Sequence, residues 1–219
     1  MVGYWIVAGL VALAVAAVVV AGVAPEAAPP GPLRLVVFAA SDAAPGPGGP
    51  TWPDLVAEGL PPATIDVRNA SVGGLTIDEA DDELPAVLGE PYDVAIVWLA
   101  INDLASGRPL PDYLADLDGI LSALSGPGRA VAVANLPDLA SIPLLAALVD
   151  PAALRAACAE WNEGIARVAA RHGADVIDLS GQPVNPEDLS GDGFHPSQVG
   201  QQRLAEAFAP WVAARAADR

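Results

Sequence analysis

The sequence contains no lysine, a single cysteine (Cys158) and two histidines (His172 and His195). Its 27 acidic residues face 10 arginines, for a formal net charge of −17. Such a chain repels phosphate backbones and lacks the basic clusters that nucleic acid or anionic lipid requires, so nucleic acid is excluded as a partner. One cysteine cannot form an internal disulfide and leaves the redox compartment open. Two histidines and one cysteine, with neither His-x-x-x-His nor Cys-x-x-Cys spacing, supply no transition-metal site. The acidic run DEADDE, Asp78 to Glu83, lacks the glycine-containing spacing of a calcium loop and reads as a solvated helix face. No internal repeat is visible, and no two carboxylates stand out as the acid and base of a glycosidase. Neither metal nor cofactor is expected.

Charge is also absent from residues 4–24, YWIVAGLVALAVAAVVVAGVA. This run of about 20 residues can cross a hydrocarbon core of about 30 Å, with Tyr4 and Trp5 at its start as interfacial aromatics. Met1-Val2-Gly3 carries no basic residue, and the small-x-small candidate Gly22-Val23-Ala24 precedes Pro25, which hinders cleavage. Residues 1–24 are therefore expected to form an uncleaved transmembrane anchor, with a cleaved signal segment as the alternative. The remaining chain is expected outside the cytoplasm, anchored or secreted, with the orientation of an anchor left open by its flanks. Arg34 and Glu26 give the positive-inside rule little to count. Residues 25–32, PEAAPPGP, form a Pro-rich linker, and residues 33–219 form one domain large enough for a single core.

Within that domain, compact apolar runs alternate with helical patterns. Strands are expected near Leu33–Ala39, Thr64–Arg68, Tyr92–Leu99, Arg129–Leu136 and Ala174–Leu179. Helices are expected over Trp52–Leu60, Ile77–Leu88, Asp112–Leu124, Pro151–Arg171 and Pro196–Ala217, the last two opening on proline. Nearly all-apolar strands between helices imply a parallel sheet covered on both faces. The expected fold is thus a three-layer α/β/α, flavodoxin-like doubly wound domain of about five parallel strands. In the series Leu154, Cys158, Trp161, Ile165, Val168 the cysteine falls on the buried stripe of a helix. It is expected to be core, and His172 before Gly173 to be a helix end.

In such sheets sites lie beyond the carboxyl ends of the strands. Those ends carry Ser41, the run Asn69 to Gly74, Asn102-Asp103, Pro137-Asp138, and the loop leading to DGFHP (Asp192–Pro196). Ester hydrolysis at a serine needs a fixed hydroxyl, a neutral imidazole, a carboxylate to hold that imidazole, and donors facing the oxyanion. Ser41, His195 and Asp192 can fill the first three places. The N–H groups of Ser41 and Gly74 and the amide of Asn102 can fill the last. Taken singly, each residue has another reading: Ser41-Asp42 as a turn, Gly73-Gly74 as a flexible loop, Asn102-Asp103 as a cap.

Taken in order, the pattern resembles the SGNH/GDSL hydrolases, a family of serine esterases, lipases and carbohydrate deacetylases. FAAS (Phe38–Ser41) occupies the place of the family's Gly-Asp-Ser turn, and NASVGG (Asn69–Gly74) resembles its second block. LAIND (Leu99–Asp103) resembles Gly-x-Asn-Asp, and DGFHP carries the family's Asp-x-x-His. NLPDLASIP, residues 135–143, is similar to the segment after the fourth strand in many actinobacterial members. The resemblance implies Ser41 as nucleophile, His195 as base and Asp192 as its orienting carboxylate. It implies an oxyanion hole of Ser41, Gly74 (with Gly73 as second choice) and Asn102, an acyl-enzyme, no cofactor, and a small-molecule, glycan or lipid ester as substrate. Ala39-Ala40 stands where the family has Gly-Asp, and Ala100 where it has Gly. Those departures leave a second expectation: a membrane-tethered binding protein for glycan or lipid that kept the fold and lost turnover.

Overall fold

The computed structural model describes residues 31–218. The expected anchor at residues 1–24 and most of the linker lie outside them. Among the described residues no helix is long and apolar enough to cross a membrane.

Five strands, β1 (Leu33–Ala39), β2 (Ile65–Asn69), β3 (Val94–Trp98), β4 (Ala130–Ala134) and β5 (Asp175–Ile177), form one parallel sheet in the order β2-β1-β3-β4-β5. Seven α-helices accompany them among the described residues: α1 (Trp52–Glu58), α2 (Ala80–Leu88), α3 (Ala100–Ser106), α4 (Leu110–Leu124), α5 (Pro143–Leu148), α6 (Pro151–His172) and α7 (Gln198–Ala217). Successive strand side chains point to opposite faces, so a strand covered on both faces must be apolar throughout. In β1, Val36 and Phe38 pack with Ala95, Val97 and Val131 against Leu117 and Leu121 of α4 and Trp161 and Ile165 of α6. Leu35 and Val37 pack with Ile96 and Trp98 against Trp52 and Val56 of α1 and Phe208 and Val212 of α7. The rings of Trp52 and Phe208 stack with centroids 3.9 Å apart, closing that second layer. Leu154, Cys158, Trp161, Ile165 and Val168 are buried along α6, as their spacing predicts.

From β1 the chain steps to β2 on one side and then crosses to β3 on the other. The carboxyl ends of β1 and β3, where Ala39 pairs with Trp98, are therefore the point where winding reverses and a crevice opens. Ser41 and Asn102 lie just past those two ends.

The structure moves several expected boundaries. Helix α2 begins at Ala80 instead of Ile77, because the Ile77 N–H is held by the buried carboxylate of Asp103 at 3.0 and 3.2 Å. Helix α7 begins at Gln198 instead of Pro196: Ser197 is its cap, accepting from the Gly200 N–H at 3.2 Å, while Pro196 pairs with Leu189 in an isolated bridge. Strand β5 has only three residues, because beyond it the Leu179 N–H donates to the Asn135 side chain at 2.7 Å. Helices α3 and α5 were not expected; both are short segments wedged between a strand and a longer helix.

Candidate active site

Past Ala39 the chain turns sharply, with the N–H groups of Ala43 and Ala44 donating back to the Ala40 carbonyl at 3.1 and 3.0 Å. This turn leaves Ser41 partly exposed between buried neighbours. The methyl groups of Ala39 and Ala40 belong to the apolar cores on the two faces of the sheet, and Ala100 is fully buried. The three alanines at family glycine or aspartate positions are thus packed into the interior.

Ser41 Oγ lies 3.1 Å from His195 Nε2, and His195 Nδ1 lies 2.6 Å from Asp192 Oδ2. The other Asp192 oxygen accepts from the Ser190 hydroxyl at 2.8 Å and from the N–H groups of Phe194 and His195, each at 2.9 Å. A carboxylate given four donors resists protonation, and these bonds, led by the one from His195, hold Asp192 far below the usual carboxylate range. An ionised carboxylate can only accept, so the network assigns the imidazole proton to Nδ1 and leaves Nε2 free to take a proton from Ser41. Gly193 sits inside this loop at φ +72°, a left-handed conformation that other residues adopt under strain. Two further bonds of 2.7 Å fasten the loop, Ser190 N–H to the His195 carbonyl and Ser197 N–H to the Asp188 carbonyl.

The loop after β2 is knitted to the serine turn. Val72 N–H donates to the Ala39 carbonyl at 3.1 Å, and the Asn69 side-chain amide donates to the Ala43 carbonyl at 2.7 Å. Asn102 Nδ2 donates to the Leu75 carbonyl at 2.9 Å, which uses one of its two amide hydrogens. Gly74 is exposed at φ +80°. Among the described residues neither the Ser41 N–H nor the Gly74 N–H has a protein acceptor.

A cavity of about 110 Å³ opens at this point, with Ser41, Asn102 and His195 in its wall. Ile101, Leu139, Ile142, Val184, Leu189 and Leu204 make much of the remaining wall apolar. Of the five residues expected from the sequence, three meet in the cavity and Asp192 stands behind His195. Gly74 lies in the adjoining loop, outside the cavity wall. Neither Cys158, buried along α6, nor His172, whose Nε2 lies 2.9 Å from Asp118, is in the wall of this cavity. Among the described residues no group of three or more His, Cys, Asp or Glu is arranged to hold a metal ion.

Two residues of the site were not singled out by sequence. Asp42 is buried in the cavity wall, and burial pushes its carboxyl up to about 7. Gln201 on α7 donates to the Asp42 carbonyl at 2.9 Å and accepts from the Trp52 N–H at 2.7 Å, tying the serine turn to two helices. A signal for Gln201 was present: it shares the buried stripe of Ala205, Phe208 and Val212, where a polar residue needs a partner.

The fold is a doubly wound parallel sheet that brings Ser41, His195 and Asp192 together at the point where its winding reverses. The chain belongs to the GDSL-like lipase/acylhydrolase family, whose model matches residues 20–203. Its fold is similar to that of an acetyl xylan esterase from Geobacillus stearothermophilus, with 19% identity, a TM-score of 0.65, and coverage of 81% of this chain and 94% of the other. It is similar also to the psychrotrophic esterase EstA from Pseudoalteromonas sp., with 14% identity, a TM-score of 0.64, and coverage of 83% and 97%. LAE5, an alpha/beta hydrolase from the metagenome of Lake Arreo in Spain, is 23% identical at a TM-score of 0.63, with coverage of 80% and 93%. No curated protein matches the sequence.

Proposed function

We propose that this chain is a serine esterase that cleaves carboxylic esters through an acyl-enzyme. The observation that carries the reading is the linear chain of contacts Ser41 Oγ, His195 Nε2, His195 Nδ1, Asp192 Oδ2, at 3.1 and 2.6 Å. In this mechanism His195 takes the Ser41 proton at Nε2 as Oγ attacks the acyl carbon. Asp192, kept ionised by its donors, stabilises the imidazolium. The carbonyl oxygen gains charge and is met by the Ser41 N–H, the Gly74 N–H and the remaining amide hydrogen of Asn102. His195 returns the proton to the leaving alcohol, and water repeats the sequence to release the acid.

The apolar wall and the net charge of −17 favour a neutral ester whose acyl part is hydrocarbon. The esterase and acetyl xylan esterase named above support the same bond type and leave open whether the alcohol is a sugar. The uncharged run at residues 4–24 supports an extracytoplasmic setting, anchored or released. Recovery of the full chain from both the soluble and the culture fractions, with none in membranes, would remove the anchored form.

Initial-rate hydrolysis of p-nitrophenyl acetate and longer p-nitrophenyl esters, beside a Ser41→Ala control, tests the reaction. Activity lost in the control is the expected result. Two folded proteins that both fail to exceed buffer would leave a binding protein as the better reading.

A further inference from the structure

Asp42 follows the serine directly and has no part in the reaction drawn above. Its residue surface is 7% exposed, and it lines the same cavity as Ser41, Asn102 and His195. Among the described residues its Oδ2 has no well-aligned hydrogen bond, nor has the indole N–H of Trp52 on α1, which faces the carboxyl closely enough to draw it down only weakly. The backbone at Asp42 is pinned by Gln201, which grips both the Asp42 carbonyl and the Trp52 N–H. The backbone is thereby fixed with the Asp42 side chain in the cavity wall. A buried acid short of donors destabilises a fold, and an amide of the same shape would avoid that cost. Such a residue beside reacting atoms signals a functional constraint.

We propose that Asp42 is a second positioning carboxylate of this site: when ionised it attracts the imidazolium that forms on His195 as Ser41 attacks, and so shares the task of Asp192. The proposal rests on the serine-esterase reading. The charged groups around the cavity are His195, Asp192 behind it, and the Asp188–Arg203 pair at 3.0 Å in the far wall. Trp52 on α1 and Gln201 on α7 are neutral. Against the upward push of burial the Asp42 carboxyl is drawn down first by its own backbone N–H, then by the charge of His195, the one charged group among these that does so. The attraction is mutual, so an ionised Asp42 favours the imidazolium to the same degree. The Ser41 proton still goes to His195 Nε2, and none is transferred to Asp42. Full activity then requires Asp42 ionised in addition to a neutral imidazole, so the rising limb of the pH profile carries more than one ionisation.

The test is the rate of Ser41 labelling by a fluorophosphonate from about pH 5 to about pH 9, in the full chain and in Asp42→Asn, with Ser41→Ala as the blank. Wild-type labelling is expected to rise more steeply than a single ionisation allows. Asp42→Asn is expected to rise as one ionisation, to a plateau about three- to tenfold lower. The melting temperature of Asp42→Asn should exceed that of wild type by at least roughly 2–4 °C at about pH 8 and match it at about pH 4, where both side chains are neutral. A purely structural Asp42 would lose stability on amidation and leave the profile unchanged. Trp52→Phe removes the nearby indole N–H and should move the steep limb to higher pH, which gives a second readout if Asp42→Asn fails to fold. An unaltered profile and plateau in Asp42→Asn, or an unmoved limb in Trp52→Phe, would overturn the proposal and leave the serine reading standing. Wild type that labels no faster than Ser41→Ala would overturn both.

Discussion

The loop of residues 190–196 and the turn of residues 40–43 each bring one aspartate to the same serine–histidine pair, in opposite circumstances. The Asp192 side chain is 50% exposed, yet four donors converge on it and hold it firmly ionised. Asp42 is buried, one of its oxygens has no well-aligned hydrogen bond, and its carboxyl is pushed up to about 7. What keeps a carboxylate charged here is the donors aimed at it, and burial without donors does the reverse. The exposed member is thus the constant of the site, and the buried member is the one that pH can switch.

The strongest way to break the comparison is to remove what both aspartates serve. Ser41→Ala should lose more than about 10³-fold in kcat/KM towards a p-nitrophenyl ester, with unchanged melting temperature. Asp192→Asn should cost about 10⁴-fold near neutral pH, because an amide no longer forces the imidazole proton onto Nδ1. A loss below about tenfold would move the orienting role away from Asp192. Asn102→Ala should lower kcat by about 10²–10³-fold with little change in KM, as expected for a donor used chiefly in the transition state. A change below about threefold would remove Asn102 from the mechanism.

Asp42→Asn, expected to slow the reaction by about tenfold or less, sharpens the comparison through its sign in stability. The folded-state pKa of Asp42 lies above the ordinary carboxylate value, so the folded protein binds a proton that the unfolded chain releases. Stability therefore falls as pH rises from about 4 to about 7, and the amide escapes that fall. For Asp192 the displacement has the opposite direction, so its contribution persists through neutral pH and is lost only in strong acid. In thermal melts between about pH 4 and about pH 8, Asp42→Asn should gain on wild type as pH rises, whereas Asp192→Asn should stay below wild type by a nearly constant margin. Parallel melts would show that both carboxylates sit in equivalent surroundings.

The sequence determined the sheet, its order of elements and the position of Ser41, Asn102 and the Asp192–His195 loop. Apolar strand runs and turn residues are local signals, and a winding reversal places the ends of β1 and β3 side by side. It also placed Cys158 in the core and His172 at a helix end, because both lie on a long helix with a clear period. It preferred Gly74 to Gly73 only by resemblance, since adjacent glycines differ in the backbone conformation that the turn imposes, here φ +80° at Gly74. Helices α3 and α5 escaped it because their periods are too short to register. Asp42 read as an ordinary turn residue, because nothing local tells a solvated aspartate from one sealed under Trp52 and α7. Gln201, 159 residues away along the chain, supplies the bond that seals it. Identity and order of the groups that meet around Ser41 were therefore legible in the chain. Their charge states depend on which donors and apolar surfaces converge in space, and only the tertiary structure decided that.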